Sequence, residues 1–177
     1  MRFPKGSLAL VISRTFASVV TGCGPRGRGA SYPDAAEGRF VARVGGKTII
    51  RGAAQATYCR GDSILVVVAM TSRWTAGLAF RGAFPVPIAR IFAVDNSLGD
   101  QGTATAAFRA VTDSVEPALL AAGGSARLEP GRAATGRFDV LVPAPDGRSP
   151  PRHVLGAFRA LPTTDTAAGC GLTPRTP

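Results

Sequence analysis

Residues 64–70 (ILVVVAM) are the longest uninterrupted apolar run in the chain. The run is rich in β-branched residues. It lies between a turn signal, Arg60-Gly61-Asp62, and a polar break, Thr71-Ser72-Arg73. That pattern predicts a central strand buried on both faces. Upstream, residues 39–44 set Phe40, Ala42 and Val44 against Arg39, Val41 and Arg43, and Gly45-Gly46 is a two-residue hairpin signal. Residues 48–51 then lead through Gly52 into 53–59.

Downstream, residues 75–80 and 90–94 are short apolar segments. The stretch between them, 82–88, is a loop or an edge, because Pro85 and Pro87 forbid a central strand. Residues 95–102 (DNSLGDQG) form a turn, and alternation resumes over 103–111. Residues 118–122 read either as a short helix capped by Thr112-Asp113-Ser114 or as a strand, and the strand is preferred. After a Gly123-Gly124 turn, residues 125–129, 135–142 and 153–161 make a meander, with 143–151 (PAPDGRSPP) as a loop. Two of these strands begin alike, Gly136-Arg137-Phe138 and Gly156-Ala157-Phe158. In each, a Gly where the strand bends or packs closely is followed two residues on by a core aromatic. A polar tail holding Cys170 follows.

The expected fold is therefore all-β, with at most one short helix. The expected architecture is an antiparallel β-sandwich, with a partly closed β-barrel as the alternative. Its predicted core is Phe40, Tyr58, Leu65, Val67, Trp74, Leu78, Phe80, Phe108, Phe138, Val140 and Phe158. Composition agrees: 22 Gly and 14 Pro in 177 residues favour short elements joined by many turns.

Composition adds a net charge of +10, nearly all of it from Arg. Basic chains of this kind suit nucleic acid, anionic lipid or acidic glycan. The arginines are scattered singly, Arg26 and Arg28 being the nearest to a cluster. No recognition helix, RNP-like aromatic pair or zinc spacing accompanies them, so nucleic acid is not the expected partner.

The N-terminus changes the picture more. Residues 1–20 carry Arg2 and Lys5 ahead of an apolar stretch that Arg14 interrupts, and Val20-Thr21-Gly22 places small residues before Cys23. This is the layout of a secretory signal. Ending in VTGC, it resembles the lipobox of bacterial lipoproteins. Together with Tyr58-Cys59, the two GxF pairs and the C-terminal Cys, the chain is similar to small uncharacterised bacterial lipoproteins built as one β-sandwich behind a lipid anchor. The resemblance implies a signal peptide over 1–22 and lipidation of Cys23. A flexible tether over 23–38, a folded domain over 39–170 and a frayed tail over 171–177 complete that organisation. It also implies export and anchoring, with Gly24 after Cys23 pointing to the outer membrane facing the periplasm. With Cys23 taken by lipid, Cys59 and Cys170 remain as a disulfide pair.

Candidate chemistry is thin. The single His, His153, is read as a surface residue at a strand edge, since no GxSxG elbow supports a Ser-His-Asp hydrolase. One His and three scattered Cys give no zinc spacing. Asp95, Asn96, Asp100 and Gln101 crowd one loop and are weak calcium candidates without EF-hand spacing. Asp62, Asp113 and Asp139 lie near strand ends without forming an evident acid pair. Gly45-Gly46-Lys47-Thr48 lacks the first Gly and the helix of a phosphate loop. No cofactor is expected. The expected role is non-enzymatic binding or structural support at the envelope, with an envelope protein or glycan as partner. The alternatives are a secreted hydrolase built on a distant acid pair and a polyanion binder whose arginines converge on one face.

Overall fold

The structure, a computed structural model, describes residues 31–112 and 117–170. The expected signal peptide, Cys23, the first part of the tether, Asp113 and the tail over 171–177 lie outside the described residues.

Among the described residues there is no helix. The elements are β1 (Arg39–Val44), β2 (Lys47–Cys59), β3 (Ile64–Met70), β4 (Trp74–Arg81), β5 (Arg90–Val94), β6 (Thr103–Ala110), β7 (Leu119–Leu120), β8 (Gly123–Leu128), β9 (Ala134–Val142), β10 (Arg152–Leu161) and β11 (Thr163–Thr166). Hydrogen-bonded order runs β1-β10-β9-β8-β5-β6-β4-β3-β2, and β2 also pairs with β1. The sheet thus closes into a nine-stranded barrel, with β7 and β11 as extra strands on β6 and β2. The sandwich expectation is corrected to the barrel alternative.

Closure depends on β2, one 13-residue strand where the sequence pattern predicts two pieces. Its first half pairs with β1 and its second half with β3. It carries the ring round the corner at Gly52, where a Cβ would press on the Thr71 methyl at 3.1 Å. The Gly45-Gly46 turn that starts it has φ of 54° and 80°, the two positive values a type I′ hairpin requires.

A barrel has one inside, so β3 is not buried on both faces: Ile64, Leu65, Val67 and Ala69 are buried, whereas Val68 and Met70 are exposed. The interior is filled by phenylalanines. Ring contacts run Phe92–Phe80 at 5.2 Å, Phe80–Phe158 at 6.1 Å, Phe158–Phe40 at 6.4 Å, Phe40–Phe138 at 5.5 Å and Phe138–Phe108 at 6.2 Å. Six rings therefore form one continuous file through the barrel, in the offset and edge-on geometries that aromatic quadrupoles favour. Small residues on the facing walls, among them Ala42, Ala56, Ala76, Ala104 and Ala126, leave them room.

The two GxF pairs are the tightest part of this packing. In the β9–β10 ladder Gly156 lies opposite Phe138 and Phe158 lies opposite Gly136. Each ring covers the other strand's glycine: a Cβ on Gly156 would fall inside the Phe138 ring, and one on Gly136 would strike both the Phe158 ring and the Arg127 carbonyl.

Three expectations change at the margins. Tyr58 and Trp74 are half-buried at the barrel's ends rather than core, while Phe92 and Ile50 are fully buried. The polar segment before Cys170 is ordered as β11, parallel to β2, with Thr166 beside Cys59. Residues 31–38, the described part of the expected tether, lack regular structure but are not free. Pro33 and Ala35 are buried, and Gly38 donates its N–H to the Arg159 carbonyl at 2.8 Å.

Two substitutions test this account. Gly156→Ala should cost about 2–3 kcal/mol through overpacking against Phe138. The double variant with Phe138→Leu should recover part of it, read by urea unfolding; equal losses in single and double variants would disprove the ring–glycine contact. Ala160 sits at φ 47° where the β9–β10 register slips, and donates its N–H to Thr135 Oγ1 at 2.9 Å. Ala160→Gly should therefore stabilise by about 1 kcal/mol, since glycine adopts this conformation without the Cβ penalty.

Candidate functional site

The two ends of the barrel differ. At the end holding Arg81, Gly82 and Leu161, the file of rings is capped: the Arg90 guanidinium lies over the Phe92 ring, 5.2 Å from its centroid, against Gly82 and Gly102. This cation–π contact shuts the apolar interior off from water.

The same end is tied down by the C-terminal segment. Cys59 and Cys170 form a disulfide with their Cα atoms 5.5 Å apart and lie 111 positions apart in sequence. The Cys170 N–H donates to Asp62 Oδ2 at 2.7 Å, and Arg60 grips Asp165 through Nε and Nη2 at 2.6–2.9 Å. That pairing raises the Arg60 pKa and lowers that of Asp165, but both side chains are exposed, so the contact orients β11 more than it stabilises it. The loop closed by the disulfide is long, and chain-entropy reasoning gives roughly 4–5 kcal/mol for it.

The opposite end is open. Trp74, Phe108, Leu119, Val142, Pro145 and Val154 line a cavity of about 130 Å3 there, with Arg152 at its edge. Each lining group is fixed locally. Thr71 closes a tight turn: its Oγ1 donates to the Trp74 carbonyl at 3.1 Å and accepts from the Trp74 N–H at 3.0 Å. This turn aims the indole across the opening. Phe108 is the last ring of the internal file, so the cavity floor continues into the core.

The rim is loop 143–151, ordered by Asp146. Its carboxylate accepts from the Arg148 N–H at 3.0 Å, the Ser149 N–H at 2.9 Å and the Ser149 hydroxyl at 2.6 Å. The Ser149 hydroxyl first, then these amides and the nearby Arg152 charge, hold the Asp146 pKa down to about 2.

The other residues singled out from sequence do not converge. His153 Nδ1 lies 3.1 Å from Asp139 Oδ1 on the outer wall. Ser125 also faces Asp139, but from β8, across β9 from the histidine's strand. Two strand spacings separate histidine and serine by about 10 Å, so the carboxylate stands between them and no nucleophile–base hydrogen bond forms. Asp62 is engaged with Cys170, far along the chain's other end of the barrel. Asp95 Oδ1 accepts the Asn96 N–H at 2.6 Å, and the Asp100 carbonyl accepts the Thr103 hydroxyl at 2.6 Å. Among the described residues no three His, Cys, Asp or Glu side chains come together as metal ligands.

Sequence reasoning placed Trp74 in the core and passed over Leu119, Pro145 and Arg152. The signal for them was the proline-rich loop itself: a rigid loop ending a strand of alternating inward residues belongs at a barrel rim. Fold and site together define a closed, disulfide-tied β-barrel with a packed interior and one apolar mouth. Comparison with protein-family models, curated proteins and solved structures finds no match.

The Asp146 hydrogen bonds give the mouth a pH dependence. The carboxyl's pKa is depressed, so its contribution is complete above the ordinary value of 3.8 and disappears as pH falls through about 2. Amide hydrogen exchange at Arg148 and Ser149 should show protection that holds down to the ordinary carboxylate range and fades below it. Asp146→Asn should remove that pH step. A step that survives the substitution would assign it to another group.

Proposed function

We propose that the protein is an exported, lipid-anchored envelope protein whose barrel binds rather than catalyses. The observation that carries the location is the Cys59–Cys170 disulfide, a bond that persists in oxidising compartments. Lipidation at Cys23 and the outer-membrane site facing the periplasm follow from the lipobox-like VTGC and the Gly after it. The intact mass of protein from the membrane fraction tests the cleavage, the lipid and the disulfide together. The expected species starts at Cys23, is heavier by lipid, and gains about two daltons on reduction, the two hydrogens taken up per disulfide. A soluble full-length chain with three free thiols would overturn this reading.

The binding role rests on the mouth. Its volume, about 130 Å3, suits a group the size of a benzene ring, and its lining is apolar. The ligand class is therefore a small aromatic or branched apolar group, presented by an envelope protein or glycan conjugate or free in the periplasm. The chain's only Trp stands in the mouth and reports on it. Titration with toluene should shift Trp74 emission saturably. Leu119→Phe, which fills the cavity, should reduce that response at least tenfold. An unchanged response in Leu119→Phe would remove the mouth as the ligand site.

A further inference from the structure

Most arginines on β1, β2, β8, β9 and β10 point outwards, and the barrel's register gathers them. Arg127 lies opposite Arg137, Arg137 opposite Ala157, Ala157 opposite Val41 and Val41 opposite Arg51, one lateral row across five strands. Two residues along, Arg39 and Arg159 face each other directly. Like charges directly opposed in an antiparallel ladder repel. Among the described residues neither makes an ion pair, and neither does Arg51. The three arginines surround a cleft of about 520 Å3 floored by Val41 and Ala35, with Asp34 as the one acid lining it. The other acids near the row, Glu129 and Asp139, are held by Arg127 and His153, and Glu37 stands exposed beside the cleft's segment. Three arginines without ion pairs around one cleft suit an anion.

Two further observations say which anion. The surroundings of the cleft are not purely polar: Tyr32, on the segment that lines it, stacks on the Arg137 guanidinium at 4.9 Å while remaining 38% exposed. An exposed tyrosyl group among arginines suits the headgroup boundary of a bilayer, where the ring and the arginine stems enter the apolar edge and the guanidinium groups meet phosphate. The chain also leaves the barrel from this face. Tyr32 and Ser31 sit on it, and Cys23 precedes Ser31 by eight residues, a span of at most about 30 Å. A lipid on Cys23 would keep the membrane within reach of this side of the barrel.

We propose that this face docks on an anionic phospholipid surface, with Arg39, Arg51 and Arg159 closing on a headgroup phosphate in the cleft. The proposal rests on the anchored reading above for its orientation. The lipid on Cys23 would supply the attachment, and the basic cleft would set which side of the barrel meets the bilayer.

The test uses the full chain carrying Cys23→Ala, so that no attached lipid contributes. It is sedimented with vesicles of phosphatidylcholine alone and of phosphatidylcholine with added phosphatidylglycerol. Binding is expected only to the anionic vesicles and should fall steeply with salt. Replacing Arg39, Arg51 and Arg159 by Gln together should weaken it roughly a hundredfold, each arginine near the surface being worth about a factor of five. Replacing Arg73 and Arg109, on the opposite wall, should leave it unchanged. A lysine version of the triple variant keeps the charge and should retain most of the binding, which separates lost charge from lost fold. Equal binding to neutral vesicles, or equal losses from the opposite-wall variant, would overturn the proposal. So would a protein that ignores both vesicles yet is protected from heat by inorganic phosphate or pyrophosphate, since the site would then serve a soluble phosphate. Because Cys23 is already replaced, absence of lipid from the native protein would sink the anchored reading without altering this result.

Discussion

The structure depends on phenylalanine rings meeting glycines across a ladder. A nine-stranded barrel of short strands encloses more space than ordinary aliphatic side chains fill, and empty space in a core is costly. Here six aromatic rings occupy the axis, and they fit because their neighbours are reduced to hydrogen or methyl. At Gly136 and Gly156 the exchange is reciprocal: each strand gives up a side chain where the other places a ring. The contact also sets register. Sliding β10 by one residue against β9 would turn Phe158 outwards and bring a Cβ where the Phe138 ring stands. Packing and pairing are thus fixed by the same four residues.

From that axis the rest of the molecule follows in layers. The rings require a closed wall, and closure falls to β2, whose two halves serve different neighbours. The corner leaves the far half of β2 with a free edge beyond β1, an exposed row of backbone donors and acceptors that invites pairing with another chain. Strand β11 covers that edge in parallel, and the disulfide and Arg60–Asp165 hold it there. The cysteine bridge is therefore more than a clamp on a loose terminus: it secures the strand that completes the sheet.

Much of this was legible in the sequence. The strands β1, β3, β5 and β10 follow directly from alternation, Gly-Gly turns and proline breaks, and the GxF repeat marked the packing device before its partner was known. What sequence pattern cannot express is the pairing of β1 with both β2 and β10. That pairing separates a barrel from a sandwich, and it joins residues more than a hundred positions apart. The same limit explains the arginines. Read along the chain they are isolated, because alternation spaces outward residues by two and the strands that carry them are distant in sequence. Only the register of β10, β1 and β2 brings Arg159, Arg39 and Arg51 round one cleft. Trp74 was misplaced for a related reason: a large aromatic at the first residue of a strand looks like core until the strand's end is known to be the barrel's rim.

The barrel's two ends treat the apolar axis differently. At one end Arg90 over Phe92, the disulfide and β11 seal the apolar axis. At the other the axis surfaces at Phe108 beneath a proline-framed loop that is held by a single carboxylate. Local opening is easiest where few buried contacts must break, so motion is directed to the Asp146 loop and away from the ring–glycine ladder. A ligand of the proposed class entering beside Trp74 would displace only the rim, while the six-ring file beneath it stays in register. The arginine cleft lies towards the sealed end, near Leu161, so the proposed docking would leave the mouth clear of the surface it touches.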